Sequence, residues 1–132
     1  MGIDSRFTGE IRISPPIPWT QVKDTPFSPL SPEVGRWNVD VKFETENTTV
    51  DTEDGQLVRR RAVAIVPLTD GSYKGYDILS HLGTIADVYG TAHTFSGYIE
   101  QQAETGELYR YAIVDGTARQ YEPEIVWPEE VR

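Results

Sequence analysis

The chain has no cysteine, a single methionine and only two histidines. No stretch of it approaches the roughly eighteen consecutive apolar residues that a membrane-spanning helix needs. Without cysteine there is no disulfide, no thiolate nucleophile and no zinc–thiolate site. The histidines, His81 and His93, fall in no HExxH pattern, no ligand cluster and no nucleophile-elbow arrangement, so histidine-based metal or acid–base chemistry has no motif behind it. Neither GxxxxGK[ST] nor GxGxxG occurs, and no cofactor is expected. Positive charge is scarce as well: 12 basic residues stand against 21 acidic ones, a formal net charge of −9. The resulting field repels phosphate backbones and anionic membranes, which argues against nonspecific nucleic-acid binding and against a membrane partner. Met1 to Glu10 lacks the apolar centre of a secretory signal, so cytoplasmic residence is the expectation.

What remains is ordinary globular chemistry. With 132 residues, 38% of them hydrophobic and 25% charged, one domain over residues 1–132 with one core is expected. Phe7 to Ser14 alternates, with Phe7, Gly9, Ile11 and Ile13 on one face and Thr8, Glu10 and Arg12 on the other, and reads as a half-buried strand. Ser14 to Arg36 holds most of the chain's prolines. It reads as an ordered, extended connection in which Pro18 opens one helical turn through Trp19 to Lys23. Its apolar residues Ile17, Trp19, Val22, Phe27 and Leu30 are too many for a solvated linker and predict packing over the domain.

Trp37 to Phe43 and Leu57 to Leu68 read as a long hairpin about the acidic turn at Asp51 to Gly55. A turn centred on Glu53 and Asp54 pairs Val50 with Leu57, Phe43 with Ala64, Val41 with Val66 and Val39 with Leu68, and sets Glu46 opposite Arg61. Between Asp70 and Gly90 helical spacing of Tyr76, Leu79, Leu82, Ile85, Ala86 and Tyr89 predicts a helix, with Asp70 or Ser72 as N-cap and Gly90 as terminator. His93 to Gln101, Glu107 to Val114 and Thr117 to Trp127 then predict a meander, with Asp115-Gly116 as a tight turn. The expected fold is therefore α+β: a mainly antiparallel sheet of about six strands with one main helix on one face.

Three places carry functional interest. Arg59, Arg60 and Arg61 form the one dense positive cluster. Alternation directs Arg59 and Arg61 to one face and Arg60 to the other, giving either solvated cross-strand pairs or a ligand site for an anion. In the meander, a turn centred near Glu104 and Thr105 pairs Tyr98 with Tyr111 and Glu100 with Tyr109. That places Tyr98, Tyr109 and Tyr111 on a face opposite Phe95, Ile99, Leu108, Ala112 and Val114. These tyrosines form a recognition surface unless the proline-rich segment covers them. Thr69 to Gly75, with Lys74, precedes the helix and reads as an ordinary cap more readily than as an anion site. The turn at Asp51, Glu53 and Asp54 misplaces Gly55 for a calcium loop, and the remaining carboxylates show no catalytic pattern.

The strings GEIRISPPIPW, KDTPF, RRRAVAIVP, HTFSGYIE and IVWP together resemble a family of uncharacterised small proteins of actinobacteria and their phages. The resemblance covers most of the chain and implies a shared whole-domain fold and a bacterial or phage setting, with no activity or functional residue to carry over. The leading expectation is a non-enzymatic protein that binds a protein partner or a small anionic ligand through Tyr98, Tyr109, Tyr111, Arg59 and Arg61, in the manner of a phage or prophage accessory factor. A small acid–base enzyme using carboxylates and a homo-oligomeric structural protein are the alternatives.

Overall fold

The computed structural model describes residues 4–129. Seven strands and three helices follow in the order β1 (Ser5–Pro18), α1 (Trp19–Val22), α2 (Pro32–Gly35), β2 (Val41–Thr52), β3 (Gly55–Pro67), β4 (Ser72–Tyr73), α3 (Ile78–Tyr89), β5 (Thr94–Ala103), β6 (Leu108–Val114) and β7 (Thr117–Tyr121). The strand order is β2-β3-β1-β5-β6-β7, with β4 on β1, and every pairing is antiparallel. The mainly antiparallel sheet with one main helix is as the sequence predicts, with the short β4 added. No helix of the described residues is long and apolar enough to cross a membrane.

The alternation in β1 works as read: Phe7, Ile11 and Ile13 are buried while Thr8 and Arg12 are exposed. This first strand sits at the centre of the sheet, with β5 along one side and β3 along the other. It also runs further than predicted. Ser14 to Pro18 continues it, with Ser14 opposite Thr94 and Ile17 opposite Ala62. The first prolines of the supposed connection are therefore strand residues. They are tolerated because the register against β3 breaks between Arg12 and Ile17, where no regular ladder asks them for an N–H.

From Trp19 onward the proline-rich segment packs on the core face. Val22 and Phe27 are buried, Phe27 stands edge-on to Phe43 with centroids 6.4 Å apart, and the Phe43 N–H donates to the Phe27 carbonyl at 2.8 Å. That bond covers the start of β2, an edge strand, against unwanted pairing. Beside it lies α3, which presents Ile78, Leu82, Ile85, Ala86 and Tyr89 to the core and reaches over β6 and β7. The Tyr89 hydroxyl donates to the Gln21 carbonyl at 2.7 Å and ties the two coverings together.

Several sequence expectations fail locally, among them the last strand, which ends at Tyr121 instead of Trp127. The first strand of the hairpin starts at Val41, not Trp37: Trp37 has φ +60° in the turn after α2 and is exposed. Val50–Leu57 and Glu46–Arg61 pair as predicted, but Val63 is an extra residue in β3 between Ala62 and Ala64. Beyond that bulge Phe43 faces Ile65 and Val41 faces Pro67, one position from the expected partners. Finally, α3 begins only at Ile78, because Ser72 and Tyr73 pair with β1 and neither Asp70 nor Ser72 caps it. Gly90 ends the helix as predicted.

Candidate functional site

The meander differs most from its prediction. Ile99 faces Tyr111, Glu100 faces Arg110 and Gln101 faces Tyr109. The loop is odd-numbered: the Ala103 N–H donates to the Glu107 carbonyl, and Gly106 adopts φ +98° within it. An odd loop changes the parity of every pair after it, so side chains exchange faces. The three tyrosines therefore do not share a surface. Tyr109 and Tyr111 join the core side, and Tyr98 alone faces out.

Tyr111 is 5% exposed, and its hydroxyl donates to Gln101 Oε1 at 2.6 Å. Burial pushes its pKa up to about 12. Tyr98 is 43% exposed. The Arg110 guanidinium lies 4.3 Å from its ring centroid and donates from Nε to Glu100 Oε1 at 3.0 Å. Across the next ladder Tyr121 faces Arg110 and Arg119 faces Ala112. The result is a cleft of about 510 Å³ on the outer face, lined by Tyr98, Leu108, Arg110, Ala112, Tyr121 and Pro123. Aromatic and aliphatic bodies with one fixed guanidinium suit an apolar or aromatic group of a ligand. Arg110 and Tyr121 were not legible in the sequence, because an even-numbered first loop would turn both to the face opposite Tyr98.

The arginine triplet follows its predicted alternation. Arg59 and Arg61 lie opposite Thr48 and Glu46, and Arg61 Nη2 reaches Glu46 Oε1 at 3.1 Å. Arg60, on the other face, stacks 4.2 Å from the Trp19 ring centroid and donates from Nε to Thr45 Oγ1 at 3.0 Å. Because β1 ends at Pro18 opposite Arg61, the tip of the β2–β3 hairpin projects past the sheet as a two-stranded arm. A cleft of about 600 Å³ runs beside it, lined among others by Pro18, Trp19, Val50, Val58, Arg59 and Arg60. A larger opening of about 1130 Å³ lies where β1 and β3 part, and its Arg6, Glu10, Lys42 and Glu44 carry charges of both signs.

One buried polar cluster invites comparison with a catalytic centre. Asp40 is 8% exposed, and burial raises its pKa above the ordinary value of 3.8. Its Oδ2 accepts from the Asp77 N–H at 2.6 Å and its own N–H donates to His81 Nδ1 at 3.2 Å. The Tyr73 hydroxyl donates to the Asp40 carbonyl at 2.6 Å and accepts from the Leu68 N–H at 3.2 Å. Most of these bonds serve the backbone: Asp40 caps α3 in place of the absent local cap, and His81 Nδ1 faces the Asp40 N–H, with Asp40 Oδ2 3.9 Å away. His93 meets the Pro15 carbonyl through Nδ1 at 2.7 Å, and Lys74 pairs with Asp4 at 3.3 Å, away from the start of α3. No group of three or more potential metal ligands occurs among the described residues.

No curated protein and no solved structure matches the chain. A family profile does match it, over residues 1–132. By that match the chain belongs to DUF6205, a family of unknown function.

Proposed function

We propose that the protein is a non-enzymatic binding module that receives an apolar or aromatic group of a protein partner on the outer face of its meander. The observation that carries this reading is the cleft between Tyr98 and Tyr121, on a sheet face that no helix covers among the described residues. Arg110 stacks against Tyr98 and is already paired with Glu100. An anion arriving there would meet a carboxylate, which favours a protein side chain over a small anionic ligand at this site. The buried Asp40 and Tyr73 and the half-buried His81 supply no competing enzyme reading, because their hydrogen bonds are taken up chiefly by backbone groups. The setting, an accessory factor of an actinobacterial host or its phage, rests on the sequence resemblance alone.

The test uses a displayed library of random peptides selected on the immobilised protein. Wild type should select peptides sharing an aromatic or large aliphatic residue, and the double variant Tyr98→Ala, Tyr121→Ala should bind them roughly tenfold or more weakly. Both side chains are exposed, so the melting temperature should hold. Tyr111 is left intact because its truncation would hollow the core. Failure to select any consensus, or equal binding by the double variant, rejects the reading.

A further inference from the structure

After β7 the chain leaves the sheet. Residues 122–128 form no secondary structure, and Ile125, Val126 and Trp127 are 83%, 79% and 67% exposed. Three neighbouring large apolar side chains held in water are a departure from ordinary surfaces. Around them stand Glu122, Glu124 and Glu129, and Pro123 and Pro128 bracket the four residues Glu124 to Trp127. Proline donates no ladder hydrogen bond, so the bracket limits any strand formed here to about those four residues.

A surface with the opposite properties lies on the β2–β3 arm. Gln56 to Arg60 of β3 pair with β2 on one side and have no strand on the other among the described residues. Such an edge is a template for one more strand. Its length, five residues, suits a four-residue strand. Its side chains alternate between Leu57 and Arg59 on one face and Val58 and Arg60, beside Trp19, on the other. The segment Glu124 to Trp127 alternates in a matching way, with Glu124 and Val126 on one face and Ile125 and Trp127 on the other. An acid and an aliphatic residue then meet Arg59 and Leu57, while two large apolar residues meet Val58 and Trp19. The arginines are the densest positive charge in a chain of net charge −9, and the segment is acidic.

The segment cannot reach this edge within one molecule. A strand on that edge would occupy the lane of β1, three strand spacings or about 14 Å from β7, and Tyr121 lies level with Thr8, about 33 Å along β1 from Pro18 where the arm begins. The three residues from Tyr121 to Glu124 span only about 10 Å. We propose that the segment Glu122–Glu129 of one copy adds as a strand to the free edge of β3 at Gln56–Arg60 in a second copy. The two surfaces differ, so the contact is head-to-tail and can continue from copy to copy. Its contacts, at Glu124 to Trp127, lie outside the Tyr98 cleft, whose wall the segment shares only through Glu122 and Pro123.

Light scattering across protein concentration tests it with two variants, altered at exposed positions and at the half-buried Arg61. One reverses the arm charge (Arg59→Glu, Arg61→Glu); the other removes the apolar contacts of the segment (Ile125→Ser, Val126→Ser, Trp127→Ser). Wild type should exceed the one-subunit mass as its concentration rises toward about 0.5 mM, and each variant alone should associate at least about tenfold more weakly. Their equimolar mixture contains one intact segment and one intact arm, and should form a two-subunit species that grows no further. Circular dichroism that matches wild type confirms that both variants fold; if the arm variant does not, Arg59→Glu alone takes its place in the mixture. A wild type that stays at one-subunit mass overturns the proposal. So does a mixture with no two-subunit species, or variants that associate like wild type. Retention of a monomeric wild type on duplex DNA at about 150 mM salt overturns it in favour of nucleic-acid recognition by the arm.

Discussion

Asp40 joins pieces of chain that sequence distance keeps apart, and its protonation is thereby linked to stability. In the native protein burial raises the carboxyl pKa above 3.8, so the folded chain keeps this proton to higher pH than the unfolded chain does. The stabilisation from that difference is fully present below pH 3.8 and is lost as pH rises through the raised native value. Asp40→Asn retains an oxygen that accepts from the Asp77 N–H but has no proton to lose. The stability of Asp40→Asn relative to wild type should therefore grow from about pH 4 toward neutrality and then level off, as read by urea titration at several pH values. His81 is common to both proteins; a gap that is constant with pH would show that the Asp40 carboxyl is not perturbed by burial. Little of this was legible in the sequence, where Asp40 is one acid among 21 and occupies a polar position of an apparently alternating strand. The same holds for the tyrosines. Tyr98 and Tyr111 look alike in sequence, yet one is a surface ring under Arg110 and the other a core ring bonded to Gln101.

At the scale of elements, what could be read was periodicity, and what could not was parity. The alternation of β1, the turn at Glu53 and Asp54, and the Glu46–Arg61 pair follow from period two and from turn chemistry. The turn at Asp115 and Gly116, both at positive φ, follows in the same way. Two single residues then undo longer stretches: Val63 bulges out of β3, and Gly106 makes the loop before β6 odd. Val63 carries no local signal, and it lies opposite the irregular stretch of β1 between Arg12 and Ile17. Helix α3 was legible in its buried face but not in its start, which Asp40 sets from 37 positions away. The arm gives a prediction of its own. In a dilute sample the amides of Gln56 to Arg60 that point to the unpaired edge should exchange with solvent near the unprotected rate. Those of Ile11 and Arg12, paired with β3 on one side and β5 on the other, should be slowest. Hydrogen exchange followed by NMR or mass spectrometry reads both, and equal protection of the two segments would contradict a free edge.

Across the whole molecule two asymmetries stand out. Only one face of the sheet carries helices and the proline-rich segment, and the charge is strongly one-sided. At −9 the folded chain repels itself more than the expanded one, so screening should stabilise it: raising salt from about 0.02 to 0.3 M should lift the melting temperature by a few degrees in dilute protein. A flat or falling temperature would mean that pairs such as Glu46–Arg61 and Glu100–Arg110 outweigh the net repulsion. The central position of β1 has a consequence for the order of events during synthesis. Arg12 is made before both of its strand partners, Ala64 and Ser96, and at about 5–20 residues per second it waits on the order of 5–20 s for the second of them. Pairings this distant also close slowly. Until then Phe7, Ile11, Ile13 and Ile17 form an unsheltered apolar strand, and any chaperone or partner that meets the nascent chain meets that strand before the sheet exists.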